Sequence, residues 1–213
     1  MSRTRIKICG ITRPADALAA ESAGCDAIGL VFWPESPRFV TIDQATEIID
    51  DLSPMTTTVG VFVSPTTDDV GHISDRTGLR AAQLCAVLPP GPWSTIAQMI
   101  RLIRVINVGD RFPTQGDQMN GVLDYLFDSS DRQVPGGTGR TFDWSLLKKS
   151  ASFPRVWLAG GLNATNVGDA VRAVRPFAVD VSSGVEQSPG VKSAEKIEAF
   201  VRAVREADES IRT

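Results

Sequence analysis

FAVDVSSGVEQSPG, residues 177–190, is the stretch that decides the fold. It begins as a short apolar run, which is the pattern of a strand buried on both faces of a parallel sheet. It continues into a loop that is rich in serine and glycine. Glycine lets backbone N–H groups approach an anion closely, and a short helix beginning near Ser183 and Gly184 would add its positive end. The stretch therefore predicts a buried strand that leads into a phosphate-binding loop.

Two other glycine-rich loops come earlier in the chain, PGGTGRTF at 135–142 and AGGLN at 159–163. Any one such loop is weak evidence, because glycine also marks ordinary turns. In a (β/α)8 barrel, however, the loops after strands 7 and 8 and a short extra helix form the usual phosphate site. The three loops together predict a phosphorylated ligand, and the candidate phosphate-binding residues are Gly137, Thr138, Gly139, Gly160, Gly161, Ser183 and Gly184.

Eight apolar runs divide the chain, and helical patterns separate most of them. The runs occupy residues 5–9, 27–32, 57–63, 81–84, 102–108, 122–128, 155–159 and 177–182. Short apolar runs that do not alternate with polar residues suit the strands of a parallel sheet. We therefore predict an α/β chain that folds as one compact (β/α)8 (TIM) barrel over residues 1–205. Residues 206–213 are expected to form a C-terminal tail that can fray.

A doubly wound open sheet is the main structural alternative. A dinucleotide-binding sheet of that kind would carry its glycine fingerprint directly after the first strand, and CGITRPAD at 9–16 does not supply it. Helix signals include Pro14 in a first turn and the capping box of Thr41 and Gln44. The helical patterns cover residues 14–24, 41–52, 64–78, 93–101, 142–149, 163–174 and 193–210.

The composition argues against several classes of protein. A formal charge of -3 and a pI near 5.2 give no basic field for a nucleic acid backbone. No apolar run approaches the ~18 residues of a membrane span, and the N-terminus shows no signal-peptide core. We therefore expect a cytoplasmic protein with neither nucleic acid nor membrane as a partner. The three cysteines lack metal-like spacing and His72 is the only histidine, so no metal site and no Ser-His-Asp triad are predicted.

Polar residues stand at the places where barrel enzymes carry their catalytic groups, the C-terminal ends of strands and the loops after them. These residues are Cys9, Arg38, Gln83, Cys85 and Asp128, and Asp180 is a further candidate inside the last apolar run. A thiolate is an effective base once its pKa is tuned, and a carboxyl group with a raised pKa can be an acid. Structural interpretations stay open at this point: free cysteines usually pack in cores, Asp128 could cap a turn, and Asp180 in its apolar strand needs partners.

The motifs together resemble the phosphoribosylanthranilate isomerase family of tryptophan biosynthesis. The similar segments follow one another in the right order and spacing from the first strand to the last helix. They are KICGIT (7–12), FWPESPRFV (32–40), VGVFV (59–63), GGTGRTFDW (136–144), AGGLN (159–163) and FAVDVSSGVEQSPGVK (177–192).

The resemblance implies a (β/α)8 barrel that works without a cofactor. It implies an Amadori rearrangement of N-(5-phosphoribosyl)anthranilate to 1-(2-carboxyphenylamino)-1-deoxyribulose 5-phosphate. By the family's pattern, Cys9 is the general base, Asp128 is the general acid and Arg38 meets the anthranilate carboxylate. Gln83 and Asp180 are further candidates for substrate contact. The glycine-rich loops would hold the phosphate, and a monomer or a homodimer is expected because the family contains both.

One departure from the family pattern lies at the end of strand 4. The family usually reads QLHG there, whereas this chain reads QLCA, with Cys85 and Ala86. The change puts substrate positioning in question and keeps open a non-catalytic protein that binds a phosphorylated ligand. An isomerase for the related aminoaldose phosphate of the histidine pathway is a second alternative, but that family uses two aspartates and this chain has Cys9 at the first position.

Overall fold

Eight parallel strands close into a barrel in the computed structural model, which describes residues 3–108, 118–128, 144, 147 and 153–212. The strands are β1 (Arg5–Cys9), β2 (Ala27–Val31), β3 (Thr57–Val63), β4 (Ala81–Cys85), β5 (Arg101–Asn107), β6 (Asp124–Asp128), β7 (Arg155–Leu158) and β8 (Ala178–Val181). Each strand pairs with the next along the chain, and β8 pairs with β1. The predicted (β/α)8 barrel is confirmed, and the open-sheet alternative is wrong because this sheet closes on itself.

Helices follow most of the strands. Those in the described residues are α1 (Pro14–Ser22), α2 (Ile42–Asp50), α3 (Thr67–Thr77), α4 (Trp93–Met99), α5 (Val167–Val174) and α6 (Ala194–Arg212). Pro14 lies in the first turn of α1, where its missing N–H leaves no bond unmade. Thr41 and Gln44 form the predicted capping box of α2. The helix predicted at 142–149 lies outside the described residues except for positions 144 and 147.

The sequence pattern does not predict the short hairpin that follows β8. A single 3-10 turn, Ser183–Val185, leads into β9 (Glu186–Ser188), which pairs antiparallel with β10 (Val191–Lys192). Strands of two and three residues are too short to show an alternating pattern. The backbone N–H of Lys192 donates to Asp16 of α1 at 3.0 Å, so the hairpin is attached to the first helix.

The two faces of each strand have different neighbours. Residues two apart on a strand face the same side. The side chains of Ile6 and Ile8 therefore face outward, where they belong to the large apolar core shared with the helices. Lys7 and Cys9 lie on the opposite face of β1, toward the barrel interior, and both are buried there. The alternation thus delivers polar side chains to the inside of the barrel.

The last helix ties the C-terminal part of the chain to the first strand. Helix α6 continues past residue 205, where the sequence analysis placed the end of the barrel, to Arg212. Ala207 is fully buried, and Asp208 accepts hydrogen bonds at 2.7 Å from both the backbone N–H and the hydroxyl of Thr4. Arg205 donates to the carbonyl oxygen of Thr4 at 2.9 Å. Residues 206–212 therefore contribute to the junction between α6 and the chain that enters β1.

We expect Asp208→Ala to lower the free energy of unfolding by about 1–3 kcal/mol, because two hydrogen bonds to a charged group are lost. Urea denaturation followed by circular dichroism measures the change. Glu209→Ala is the matched control, since Glu209 is the exposed neighbour on the same helix, and its effect should stay below about 0.5 kcal/mol. Equal losses in the two variants would contradict the role assigned to Asp208.

Candidate active site

A cavity opens at the C-terminal end of the barrel, and its two halves differ in chemistry. The half formed by β2, β3 and β4 is mostly apolar, with Val31, Trp33, Val61, Val63 and Cys85 in its wall. The half formed by β6, β7 and β8 is polar and rich in glycine, with Asp128, Gly160, Gly161, Asp180 and Ser183. Such a cavity suits a ligand that has an aromatic or apolar end and a hydrophilic end.

Most of the candidate residues from the sequence meet in this cavity. Its wall includes Cys9, Arg38, Gln83, Asp128, Asp180, Gly160, Gly161 and Ser183. They come from six different strands or the loops after them, and barrel closure brings them together. Gly137, Thr138 and Gly139 lie outside the described residues, so their placement stays a prediction.

Gly184 has a packing role between two loops, and its contact with the phosphate stays a prediction. It is not in the cavity wall. A Cβ atom at Gly184 would lie 2.0 Å from the carbonyl oxygen of Leu162, which is closer than any real contact. The absence of a side chain therefore lets the loop after β8 pack against the loop after β7. Gly184 shapes the glycine-rich half of the cavity from behind.

Cys9 lies in the cavity wall, near a buried cation. Its side chain is buried, and so is that of Lys7, two residues earlier on the same face of β1. The Nζ atom of Lys7 donates to Oδ1 of Asp180 at 2.9 Å. Burial raises the pKa of the Cys9 thiol above its ordinary value, and the charge of Asp180 adds to that rise; the charges of Lys7 and Lys192 reduce it without cancelling it. The thiol therefore sits between two opposing influences, a dry environment and neighbouring positive charge.

Arg38 is held by a carboxylate of the hairpin. Its Nε and Nη2 atoms donate to the two carboxylate oxygens of Glu186 at 2.8 and 2.7 Å. Lys192 donates to the same carboxylate at 2.8 Å and to the carbonyl oxygen of Ser182 at 3.2 Å. Burial alone would raise the pKa of Glu186, but the hydrogen bonds from Arg38 and Lys192 outweigh it and lower that pKa. Glu186 is thus an anion that links two cations at the cavity.

Gln83 and Cys85 form the wall at the end of β4. The Nε2 atom of Gln83 lies 3.9 Å from the sulfur of Cys85. The Oε1 atom of Gln83 is buried and has no hydrogen-bond partner among the described residues. Burial raises the pKa of the Cys85 thiol to about 12. A neutral thiol and an unused amide oxygen therefore face the ligand space on this side.

Asp128 faces the cavity from β6 and is only partly buried. Its Cα partner on β5 is Asn107, which also contributes to the cavity wall. Around the barrel, β7 and β8 separate β6 from β1. Asp128 and Cys9 therefore approach the ligand space from separate parts of the wall.

Sequence reasoning missed several polar residues of the site. Ser36, Asn107 and Ser182 lie in the cavity wall, and Lys7, Glu186 and Lys192 form ion pairs beside it. A signal was available for Lys7, since a lysine inside the apolar run RIKIC, two residues before Cys9, must face the same way as that cysteine. No comparable local signal existed for Glu186 and Lys192, because their importance depends on the hairpin.

Two negative findings hold for the described part of the chain. In those residues, no group of three or more His, Cys, Asp or Glu side chains could hold a metal ion. Within the same ranges, no helix has the length and apolarity that a membrane crossing requires.

Comparison with known proteins places the chain in one family. The family model described as N-(5'phosphoribosyl)anthranilate (PRA) isomerase matches residues 6–203. An N-(5'-phosphoribosyl)anthranilate isomerase from Pseudomonas putida is 47% identical over 214 residues, covering 97% of this chain and 100% of the relative.

Solved structures agree. Phosphoribosyl anthranilate isomerase from Thermotoga maritima superposes with a TM-score of 0.84 at 37% identity, covering 95% of this chain and 99% of the other. A phosphoribosyl anthranilate isomerase in complex with reduced 1-(o-carboxyphenylamino)-1-deoxyribulose 5-phosphate gives 0.80 at 36% identity, with the same coverage. The barrel, the divided cavity and the full-length similarity lead to one conclusion: the chain belongs to the phosphoribosylanthranilate isomerase family and is an isomerase of tryptophan biosynthesis.

Proposed function

We propose that Cys9 and Asp128 are the base and the acid of the isomerisation. In this rearrangement the ribose ring oxygen needs a proton before the ring can open, and Asp128 supplies it. The imine that results makes the proton on C2 acidic, and the Cys9 thiolate takes it. The observation that carries the proposal is the divided cavity, in which the Cys9 thiol and the Asp128 carboxyl group approach from separate strands.

The two halves of the cavity match the two ends of the substrate. The apolar wall of Trp33, Val31 and Val61 suits the aromatic ring, and the glycine loops around Gly160 and Gly161 suit the phosphate. The Oε1 atom of Gln83, which has no partner in the part of the chain that the structure describes, can accept a hydrogen bond from a substrate hydroxyl or N–H group. Asp180 is held by Lys7, so its second oxygen is the one that can reach the substrate.

Arg38 is proposed to bind the anthranilate carboxylate. Glu186 occupies the edge of the guanidinium formed by Nε and Nη2. The second edge, which Nη1 shares with Nη2, remains for a second carboxylate because an arginine carries five N–H donors. Glu186 therefore orients Arg38 and does not compete with the substrate for it.

No cofactor enters this scheme, because acid and base chemistry is sufficient for the rearrangement. The three cysteines are free thiols, which agrees with a proposed site of action in the reducing cytoplasm. A monomer or a homodimer stays our prediction for the assembly, and light scattering on the purified protein tests it.

The first test removes the acid and the base. Cys9→Ala and Asp128→Asn should each lower kcat by roughly 10²–10⁴-fold, the usual contribution of a general acid or base. KM should change much less, because neither group is the main anchor of the substrate. A fluorescence assay for loss of phosphoribosylanthranilate measures both constants. Cys85→Ser is the control, since it changes the other thiol of the cavity and should keep most of the activity. A folded Cys9→Ala enzyme with near-parental kcat would refute the proposed base.

The second test loosens Arg38. Glu186→Gln keeps the shape of the side chain but removes the charge that holds the guanidinium. KM should rise about tenfold, equivalent to roughly 1.4 kcal/mol, while kcat changes less. Gln187→Ala is the matched control, because Gln187 is the exposed next residue of β9. A parental KM in a folded Glu186→Gln enzyme would show that Arg38 needs no support from the hairpin.

The third test concerns the phosphate. Gly161 lies in the cavity wall with φ +63°, a backbone conformation that disfavours side chains. Gly161→Val should weaken binding of a phosphorylated product analogue, and inorganic phosphate should compete with that analogue in the parent enzyme. Calorimetric titration gives both affinities. Gly78→Ala is the control, since Gly78 also has a positive φ but caps α3 at a distance from the cavity. Equal affinities in parent and Gly161→Val would place the phosphate elsewhere.

A further inference from the structure

A buried ion pair under Cys9 has no explanation in packing alone. The side chains of Lys7 and Asp180 are 0% and 8% exposed. Their Cα atoms are partners in the pairing of β1 with β8, and the Nζ to Oδ1 distance is 2.9 Å. Desolvation of two charges offsets most of their attraction, so a buried pair commonly gives no more stability than apolar residues of the same volume. A role in function is therefore the better explanation of the Lys7–Asp180 pair.

Gly29 brings the ion pair and the thiol together. It is the partner of Cys9 in the pairing of β1 with β2. A Cβ atom at Gly29 would lie 2.9 Å from the sulfur of Cys9 and 3.1 Å from Cε of Lys7. The thiol of Cys9 and the end of the Lys7 side chain therefore both lie against Gly29 of β2. Any side chain at position 29 would occupy the space that they use. The ammonium group of Lys7, one bond beyond Cε, therefore lies on the side of the sulfur and interacts electrostatically with the thiol.

Other charged and titratable groups also face Cys9. They are Asp180 on β8, Lys192 on β10, Arg38 after β2 and the thiol of Cys85 on β4. Arg38 and Lys192 share the carboxylate of Glu186, which offsets one of their two positive charges. Asp128 faces the same cavity from β6. Lys7 is the cation that approaches the thiol from its own strand.

We propose that Lys7, kept charged by Asp180, stabilises the thiolate form of Cys9 and so prepares the base of the isomerase. The inference rests on the proposed role of Cys9. Lys7 is a positioning residue, because it acts through Cys9 and not on the substrate. Before turnover the thiol releases its proton to solvent, and the sulfur anion stays beside the ammonium group.

The direction of the pH effect follows from the charges. Burial raises the pKa of Cys9, and the charge of Lys7 opposes it more strongly than the charge of Asp180 supports it. Burial alone would lower the pKa of Lys7, but Asp180 and Cys9 raise it, so the lysine stays protonated. Removal of Lys7, or of both members of the pair, should raise the pKa of Cys9. The thiolate then forms only at higher pH. The rising limb of the pH–rate profile should therefore also move to higher pH.

Alkylation tests this without relying on catalysis. The ligand-free enzyme is treated with iodoacetamide at a series of pH values, and peptide mass mapping gives a separate rate for each cysteine. In the parent, the pH midpoint for Cys9 should lie below that for Cys85, a partly buried thiol of the same cavity. In Lys7→Met, and in Lys7→Met combined with Asp180→Asn, the Cys9 midpoint should rise by at least one pH unit. Its rate at pH 7.5 should fall about tenfold or more, while the Cys85 midpoint should hardly move.

Arg5→Met is the matched control, because it removes a cation from the same face of β1 at the far end of the strand, where Arg5 stacks on Phe177. It should leave the Cys9 midpoint unchanged. The double variant covers a failure of Lys7→Met to fold, since it leaves no unpaired charge, and the parent comparison of Cys9 with Cys85 needs no variant.

Two results would overturn the proposal: a parental Cys9 midpoint no lower than that of Cys85, or an unshifted midpoint in a folded variant that lacks Lys7. The role of Cys9 is judged separately. If Cys9→Ala keeps its kcat but the Lys7 variants shift the alkylation midpoint, then Cys9 is not the base and Lys7 still controls its ionisation.

Discussion

The barrel closes where β1 pairs with β8, and the site depends on that seam. Lys7 and Asp180 face each other across it in a dry environment, 2.9 Å apart. Cys9 lies two residues after Lys7, at the end of β1, and Ser182 and Ser183 follow directly after β8. A shift of register by one residue would turn Lys7 and Cys9 out of the barrel. The pairing that completes the fold therefore also places the thiol and the loop proposed to hold the phosphate.

Missing side chains are the second condition for this arrangement. A Cβ atom at Gly10 would lie 2.5 Å from Cδ of Arg38, so the arginine stem crosses the first loop only because Gly10 has no side chain. Gly29 leaves room for the sulfur of Cys9, and Gly184 lets two loops touch. Each glycine gives its space to a different functional part. The geometry of the site thus depends on the missing Cβ atoms of these glycines as well as on its polar groups.

These facts also explain what the sequence could and could not predict. All eight strands were predictable, because strands buried on both faces leave short apolar runs that are a local property. The meeting of Cys9, Gln83 and Asp128 in one cavity was predictable because parallel strands bring their C-terminal ends together. The two ion pairs were not predictable from the sequence, since Lys7 and Asp180 are 173 residues apart and Arg38 and Glu186 are 148 residues apart. Those contacts depend on register and on a hairpin too short to leave a pattern.

The departure at β4 shows which property of that loop is retained. Ala86 has φ +60°, a conformation suited to the glycine that the family usually has there, and an alanine in it is strained by about 1–2 kcal/mol. The backbone therefore keeps the glycine path although the residue has changed. Cys85 packs with Cys9, Val31 and Val61 instead of offering a histidine ring. With Cys85 in place of a histidine ring, this wall offers apolar contact area that suits an aromatic ring.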